Sequence, residues 1–347
     1  MDLSDRNVIG WDIGGVQTKC AALGPGGIPA GKGCLPFEVW KGPDELDQVL
    51  KILASGFNLP GETVMAVTMT AELCDCFRTK REGVLFVLDS FRRSFPSSVV
   101  WCISGRGKWK PLEEAAASPG DFAATNWRAA ASWLARKLGT CLWVDTGSTT
   151  TDIIPLIDGV PAPLGSTDTE RLAHGELVYT GVIRSNPNTL TCRVPVNGAM
   201  CRVADERFSS MGDCYLVLGD MDGSSYTAPT SDGRPADVPH AHARLARLAC
   251  SDSEGMDADG ARTMAVYLRE RQLSAITEGM LQVCSRFSGS LPVICTGAGG
   301  FLAAEAARRV GLREMDLSVI IPAGYETHLP AYAAAAELLL MAEEDIL

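Results

Sequence analysis

At 347 residues, 46% hydrophobic and 21% charged, the chain has the make-up of a folded protein of about two domains, which excludes wholesale disorder. A formal net charge of −11 with no basic stretch excludes the phosphate-tracking surface that a nucleic-acid partner needs. Twelve cysteines are scattered through apolar stretches, with Cys20, Cys102, Cys141 and Cys295 as examples and no CxxC pair among them; residues 1–30 show no basic region followed by an apolar one, and no apolar run reaches bilayer length. A cytoplasmic protein with reduced thiols and no membrane partner is therefore expected.

Residues 7–13 are almost entirely apolar, as a central strand should be, and end on Asp12 and Ile13. A Gly14-Gly15 turn, a strand over 16–23, a Gly26-Gly27 turn and a strand over 28–37 complete a predicted meander. Pro43 opens a helix over 44–54, followed by a strand at 63–68, a helix at 81–95, a strand at 98–104 and a helix at 126–138 that Gly139 stops. The opening pattern then returns. Residues 141–145 form an apolar strand ending on Asp145, a Thr146-Gly147-Ser148 turn follows, then a strand at 151–157, an Asp158-Gly159 turn and a strand from Val160. Such a hidden duplication says more than either motif alone.

Residues 167–238 are irregular, with one short helix at 208–218, and read as an insertion. Helices are expected at 238–249 and 261–287. A strand at 292–296 runs into Gly297-Ala298-Gly299-Gly300 and a helix at 301–310, a last strand covers 317–321, and an Ala/Leu-rich helix covers 330–344.

An Asp at the end of a buried strand, followed by glycines, offers a carboxylate beside approachable backbone amides. That suits an anion, with a divalent metal between carboxylate and phosphate. Asp12 with Gly14 and Gly15, and Asp145 with Gly147 and the hydroxyls of Ser148, Thr149 and Thr150, both fit; either alone also fits a plain hairpin. Gly297, Gly299 and Gly300 before a helix suit a phosphate or a nucleotide's sugar edge, or tight packing of strand on helix. Gly26 to Gly33 mimics a P-loop but has Gly33 where Ser or Thr is required.

In order and spacing, DIGG-x-x-TK (residues 12–19), VDTGSTTTDI (144–153) and TGAGG (296–300) resemble the phosphate and adenosine elements of the actin, sugar-kinase and chaperone ATPase superfamily. VDTGSTTTDI is similar to the hydantoinase A/oxoprolinase branch. TAELCDCFRTKREGV (70–84), GELVYTGVIR (175–184) and TSDGRP (230–235) resemble its short members linked to tetrahydromethanopterin one-carbon metabolism and methanofuran biosynthesis.

The resemblance implies an α/β fold of two related ribonuclease-H-like lobes around a phosphate-binding cleft. The first lobe would cover residues 1–125 plus the terminal helix at 330–347, and the second 126–329. It implies a transferase that joins a furanylmethyl diphosphate to a phenolic, glutamyl-tyramine-type acceptor and releases pyrophosphate. An ATP-dependent kinase or amidohydrolase, or a non-catalytic nucleotide-binding protein, are the alternatives. Asp12 and Asp145 would hold Mg²⁺. Gly14, Gly15, Thr18, Gly147, Ser148, Thr149, Thr150, Gly297, Gly299 and Gly300 would grip phosphate, Lys19 would supply a cation, and Glu72 would accept the phenol proton.

Overall fold

A computed structural model describes residues 3, 5–59 and 61–344. Contacts divide the chain into two compact units, one of Met1–Cys141, Leu156–Asp168 and Asp316–Leu347, the other of Leu142–Pro155 and Thr169–Met315.

The first unit is built on strands β1 (Asn7–Ile13), β2 (Gln17–Leu23) and β3 (Pro29–Pro36), helix α1 (Leu46–Ser55), β4 (Thr63–Met69), α2 (Lys80–Ser94), β5 (Val100–Ile103), β6 (Trp109–Pro111), α3 (Leu112–Ala117) and α4 (Asn126–Leu138). Its sheet runs β3-β2-β1-β4-β5-β6, with β1 antiparallel to β2 and parallel to β4. Side chains alternate across a strand, so β1 serves two faces. Ile9, Trp11 and Ile13 join a core with α1 and α2, where Trp11 meets the Phe91 ring edge-on at 5.5 Å. On the other face, Gly10 lies under the last helix so closely that a Cβ would stand 1.9 Å from the Ala331 carbonyl oxygen. Asp12 shares that face.

The second unit contains β7 (Cys141–Thr146), β8 (Thr151–Ile157) as far as Pro155, with the end of β8 and the short β9 (Val160–Pro161) paired to it falling in the first unit, then α5 (Asp168–Ala173), β10 (Leu177–Val178), the hairpin β11 (Arg193–Val196) and β12 (Ala199–Arg202), α6 (Met211–Leu218), α7 (Val238–Arg247), α8 (Ala258–Cys284), β13 (Val293–Thr296) and α9 (Gly300–Val310). Its sheet order is β10-β8-β7-β13, with β13 parallel to β7. The Asp-bearing strand thus again has its hairpin partner on one side and a parallel strand on the other, as β1 does. The repetition read in the sequence recurs in the topology.

Two expectations are corrected. The terminal helix α10 (Leu329–Glu343) packs on β1 and also on α4, through a Trp133–Tyr332 edge-to-face contact at 5.4 Å and an Arg136–Glu337 ion pair at 3.1 Å. These contacts put α4 in the first unit, so the boundary falls near Cys141 rather than at 125. The expected strand at 317–321 is a 3-10 turn over Leu317–Val319, because the Asp316 side chain caps it by accepting from the Ser318 amide at 2.9 Å. The edge of β13 is met earlier, where the Met315 amide donates to Val293 O at 2.8 Å. Among the described residues no helix is long and apolar enough to cross a membrane, and all twelve cysteines are free.

Candidate functional site

In the first hairpin, Asp12 stands opposite Lys19 on β2 and Thr68 on β4. The Gly14 amide donates to Gln17 O at 3.1 Å and closes the turn, so it serves the hairpin rather than an incoming anion. A Cβ on Gly14 would come within 2.7 Å of that oxygen, and one on Gly15 within 2.8 Å of Cys74 Sγ. Gly15 O accepts from the Val39 amide at 3.0 Å. A trans peptide sets its C=O and N–H on opposite sides. The Val16 amide, which shares that plane, therefore points away from Val39.

Lys19 flanks Asp12, and its Nζ donates to Thr327 O at 2.8 Å, just before α10. Thr18, expected at the phosphate, is wholly buried instead; strand alternation turns it to the face opposite Lys19, away from any ligand beside Asp12.

The second hairpin repeats this geometry. Gly147 N–H donates to Thr150 O at 2.8 Å, at the same spacing from its Asp as the Gly14–Gln17 bond. Asp145 Oδ1 accepts from the Thr296 hydroxyl on β13, which in turn accepts from Trp143 Nε1 at 2.9 Å. Gly147 O accepts from the Val182 amide at 3.0 Å, and Ser148 O accepts from those of Ile183 and Arg184 at 3.1 and 2.8 Å. By the same planarity the Ser148 and Thr149 amides are aimed away from the 181–184 segment. Gly147, Ser148, Thr149 and Thr150 are all half-buried.

The Gly-rich turn shows the tight packing that was one of its two readings. Gly297 has φ +87°, and a Cβ there would stand 2.3 Å from Thr146 O and 2.9 Å from Asp145 Oδ1. Gly299 is buried, donates to Thr146 O at 2.8 Å, and has Thr146 Cγ2 2.6 Å from where its Cβ would be. These two glycines are required where the turn presses on the end of β7. Gly300 opens α9 with nothing nearer to its missing Cβ than Cys295 O at 4.0 Å.

Glu72 lies in a 3-10 turn (Ala71–Leu73) after β4, at the sheet end where the Thr70 amide donates to Ile13 O at 2.9 Å. The residue is 1% exposed. Its Oε1 accepts from the Ala124 amide at 3.0 Å, and Oε2 has no hydrogen-bond partner among the described residues. Burial pushes its pKa up to about 7, outweighing the backbone amides and the attraction of Lys80. Ala124 itself carries φ +52°, an uncommon conformation outside glycine.

Sequence reasoning missed what holds the second hairpin. The segment from Thr180 to Ser185 runs beneath it, and α6 anchors that segment through Met211 N–H to Ser185 O at 2.9 Å and Gly212 N–H to Ile183 O at 3.0 Å. At the start of α6, Asp213 accepts from Arg244 at 2.9 and 2.7 Å, both residues fully buried. The only sequence signal was GELVYTGVIR, noted as a resemblance without a role.

A profile of the hydantoinase/oxoprolinase family matches residues 63–339. The chain belongs to the hydantoinase/oxoprolinase family. Among curated members, it is 32% identical over 293 residues to the (4-{4-[2-(gamma-L-glutamylamino)ethyl]phenoxymethyl}furan-2-yl)methanamine synthase of Methanocaldococcus jannaschii, across 84% of this chain and 86% of that one. A Methanococcus vannielii protein of the same name is 35% identical over 159 residues, or 46% of this chain and 71% of that one. Two solved structures share the fold. They are a ROK family glucokinase from Streptomyces griseus (TM-score 0.51, 13% identity, 95% of this chain and 98% of that one) and acetone carboxylase (TM-score 0.56, 11% identity, 95% and 70%). At those identities they establish for this hydantoinase/oxoprolinase member the α/β fold of the sugar kinases and actin-like ATPases, and nothing of its chemistry.

Proposed function

We infer that the chain is a transferase of methanofuran-type biosynthesis that joins a furanylmethyl carbon to a phenol oxygen. The observation that carries this is the similarity to the M. jannaschii synthase along 84% of the chain. The product in that protein's name contains a phenoxymethyl-furan ether, and the donor we propose is a furanylmethyl diphosphate. In the reaction, the phenol oxygen forms a bond to the furan methylene carbon, the C–O bond to diphosphate breaks, and pyrophosphate leaves with the electron pair. The phenol proton passes to a base.

Each hairpin is suited to part of this. The aimed amides of Val16 in the first, and of Ser148 and Thr149 in the second, offer donors to diphosphate oxygens, joined by the hydroxyls of Ser148, Thr149 and Thr150. Lys19 spends one N–H on Thr327 O and retains two for an anion beside Asp12.

Asp12 and Asp145 fit Mg²⁺, which is commonly held by one or two carboxylates together with substrate phosphates and water. Each is half-buried at a strand end beside its amides, and the Thr296 hydroxyl fixes the Asp145 carboxylate. When bound, Mg²⁺ neutralises charge on the leaving diphosphate. Glu72 is the proposed proton acceptor, since a carboxyl near pKa 7 can both take and release a proton at neutral pH.

The test is pyrophosphate release from the furanylmethyl diphosphate with Mg²⁺, with and without a tyramine-type phenol, beside an ATPase control. Release that depends on the phenol, with no ATP turnover, is expected. ATP turnover without response to the furan donor would overturn the proposal.

A further inference from the structure

Helix α8 carries one polar side chain among its buried positions. Gln272 is fully buried, whereas Ala261, Met264, Leu268, Leu273 and Ile276 on the same buried side are apolar. A leucine there would extend the apolar stripe, while an amide removed from water is costly unless every group is bonded. Both ends of Gln272 are bonded. Its Nε2 donates to Thr180 Oγ1 and to Gly181 O, each at 2.8 Å, and its Oε1 accepts from Tyr215 O–H at 2.6 Å.

Those contacts end at the second hairpin. Thr180 O accepts from Thr151 Oγ1 at 2.8 Å, at the start of β8. Gly181 is packed so tightly that a Cβ would stand 2.4 Å from the Thr149 nitrogen. The next three residues donate their amides to Gly147 O and Ser148 O. Held carbonyls on one side of a peptide fix the direction of the N–H groups on the other. The Thr180–Arg184 strap therefore decides where the Ser148 and Thr149 amides point, and Gln272 holds the Thr180–Gly181 end of the strap while α6 holds the other.

We propose that Gln272 is a positioning residue for the Asp145 hairpin, locking the strap that aims the Ser148 and Thr149 amides at diphosphate; this rests on the diphosphate reading of that hairpin. It touches no substrate and works through Thr180 and Gly181.

The test compares wild type with Gln272→Leu, Gln272→Glu and Tyr215→Phe, reading Mg-pyrophosphate affinity by calorimetry, the KM for the phenol, and the melting temperature. Gln272→Leu, which loses all three bonds, should bind Mg-pyrophosphate about 10- to 100-fold more weakly with an unchanged phenol KM. Tyr215→Phe keeps both donors to the strap and should lose no more than about fivefold. Gln272→Glu supplies the readout that packing alone would not move. Ionised, it sets a carboxylate against Gly181 O; protonated, it regains one donor, so its affinity should recover as pH falls while that of Gln272→Leu does not. If Gln272→Leu fails to fold, this pH response and Tyr215→Phe still decide. Wild-type affinity in a folded Gln272→Leu, or no pH recovery in Gln272→Glu, overturns the proposal. Absence of Mg-pyrophosphate binding by the wild type would instead count against the reading of the hairpin.

Discussion

Gly181→Ala adds one carbon where none fits. Its Cβ would lie 2.4 Å from Thr149 N, 2.5 Å from Ser148 C and 2.6 Å from Gly147 O, all backbone atoms of the hairpin tip. Ordinary carbon contacts begin near about 3.5 Å, so strap and hairpin must part by roughly 1 Å. The three bonds that join them measure 3.0, 3.1 and 2.8 Å, and an added ångström takes each beyond hydrogen-bonding range. At about 1 kcal/mol per bond, and in line with the usual cost of overpacking, the total is about 2–3 kcal/mol. Because the lost bonds are those that aim the Ser148 and Thr149 amides, the cost should appear as Mg-pyrophosphate binding weakened by about 30- to 150-fold. Titration calorimetry measures this, with Gly300→Ala as the control, since its nearest neighbour is 4.0 Å away. Equal affinities for Gly181→Ala, Gly300→Ala and wild type would refute the reasoning.

Asp12→Asn and Asp145→Asn keep side-chain size but remove a charge, and each should slow pyrophosphate release by about 30- to 1,000-fold with the fold retained by circular dichroism; wild-type rates would remove the two residues from the machinery. For Glu72, the folded protein binds the proton more tightly than the unfolded chain, with a pKa near 7 against 4.5. Its contribution to stability is therefore complete below about pH 4.5 and lost as pH rises through about 7. Melting curves of Glu72→Gln should lack that loss, and its activity should lack the limb that rises with pH through about 7 in wild type. His328 has the opposite sign. Burial, with Lys19 and Lys32 close by, lowers its pKa from 6.5 to about 4, so stability falls as pH drops from about 6.5 towards 4. His328→Gln should flatten that acid limb in a thermal-melt series, and an unchanged limb would show that other groups set it.

The Asp hairpins were legible because their signals are local. A buried apolar run, an Asp and a glycine turn lie in consecutive residues, and the pattern occurs twice. Thr18 was misread because a motif gives the residue type but not the face; only the pairing of β1 with β2 turns its side chain under the sheet. Gly297 and Gly299 were open to two readings because glycine marks close approach without saying to what; one such approach is to Thr146 and Asp145. The strap showed only as the motif GELVYTGVIR, with no role attached, and Gln272 left no local trace. A glutamine on a long helix is unremarkable until the fold sets it against Thr180 and Gly181, far away in sequence. The 317–321 stretch failed for the reverse reason: its apolar composition suits a strand, but the single Asp316 cap turned the backbone into a helical turn.

The seat of α10 over Gly10 bears on how the chain is made. During synthesis β1 emerges before the second unit, yet the helix that covers one face of it emerges only after that unit. Until then the groove over Gly10 stays open, and the first unit can gather its α1 and α2 core on the Trp11 side only. The residues of the second unit, by contrast, are all available before α10 appears. Chains truncated before Leu329 and released should thus carry a protease-resistant second unit attached to a first that is still susceptible, and α10 acts as the fastener that ends this window.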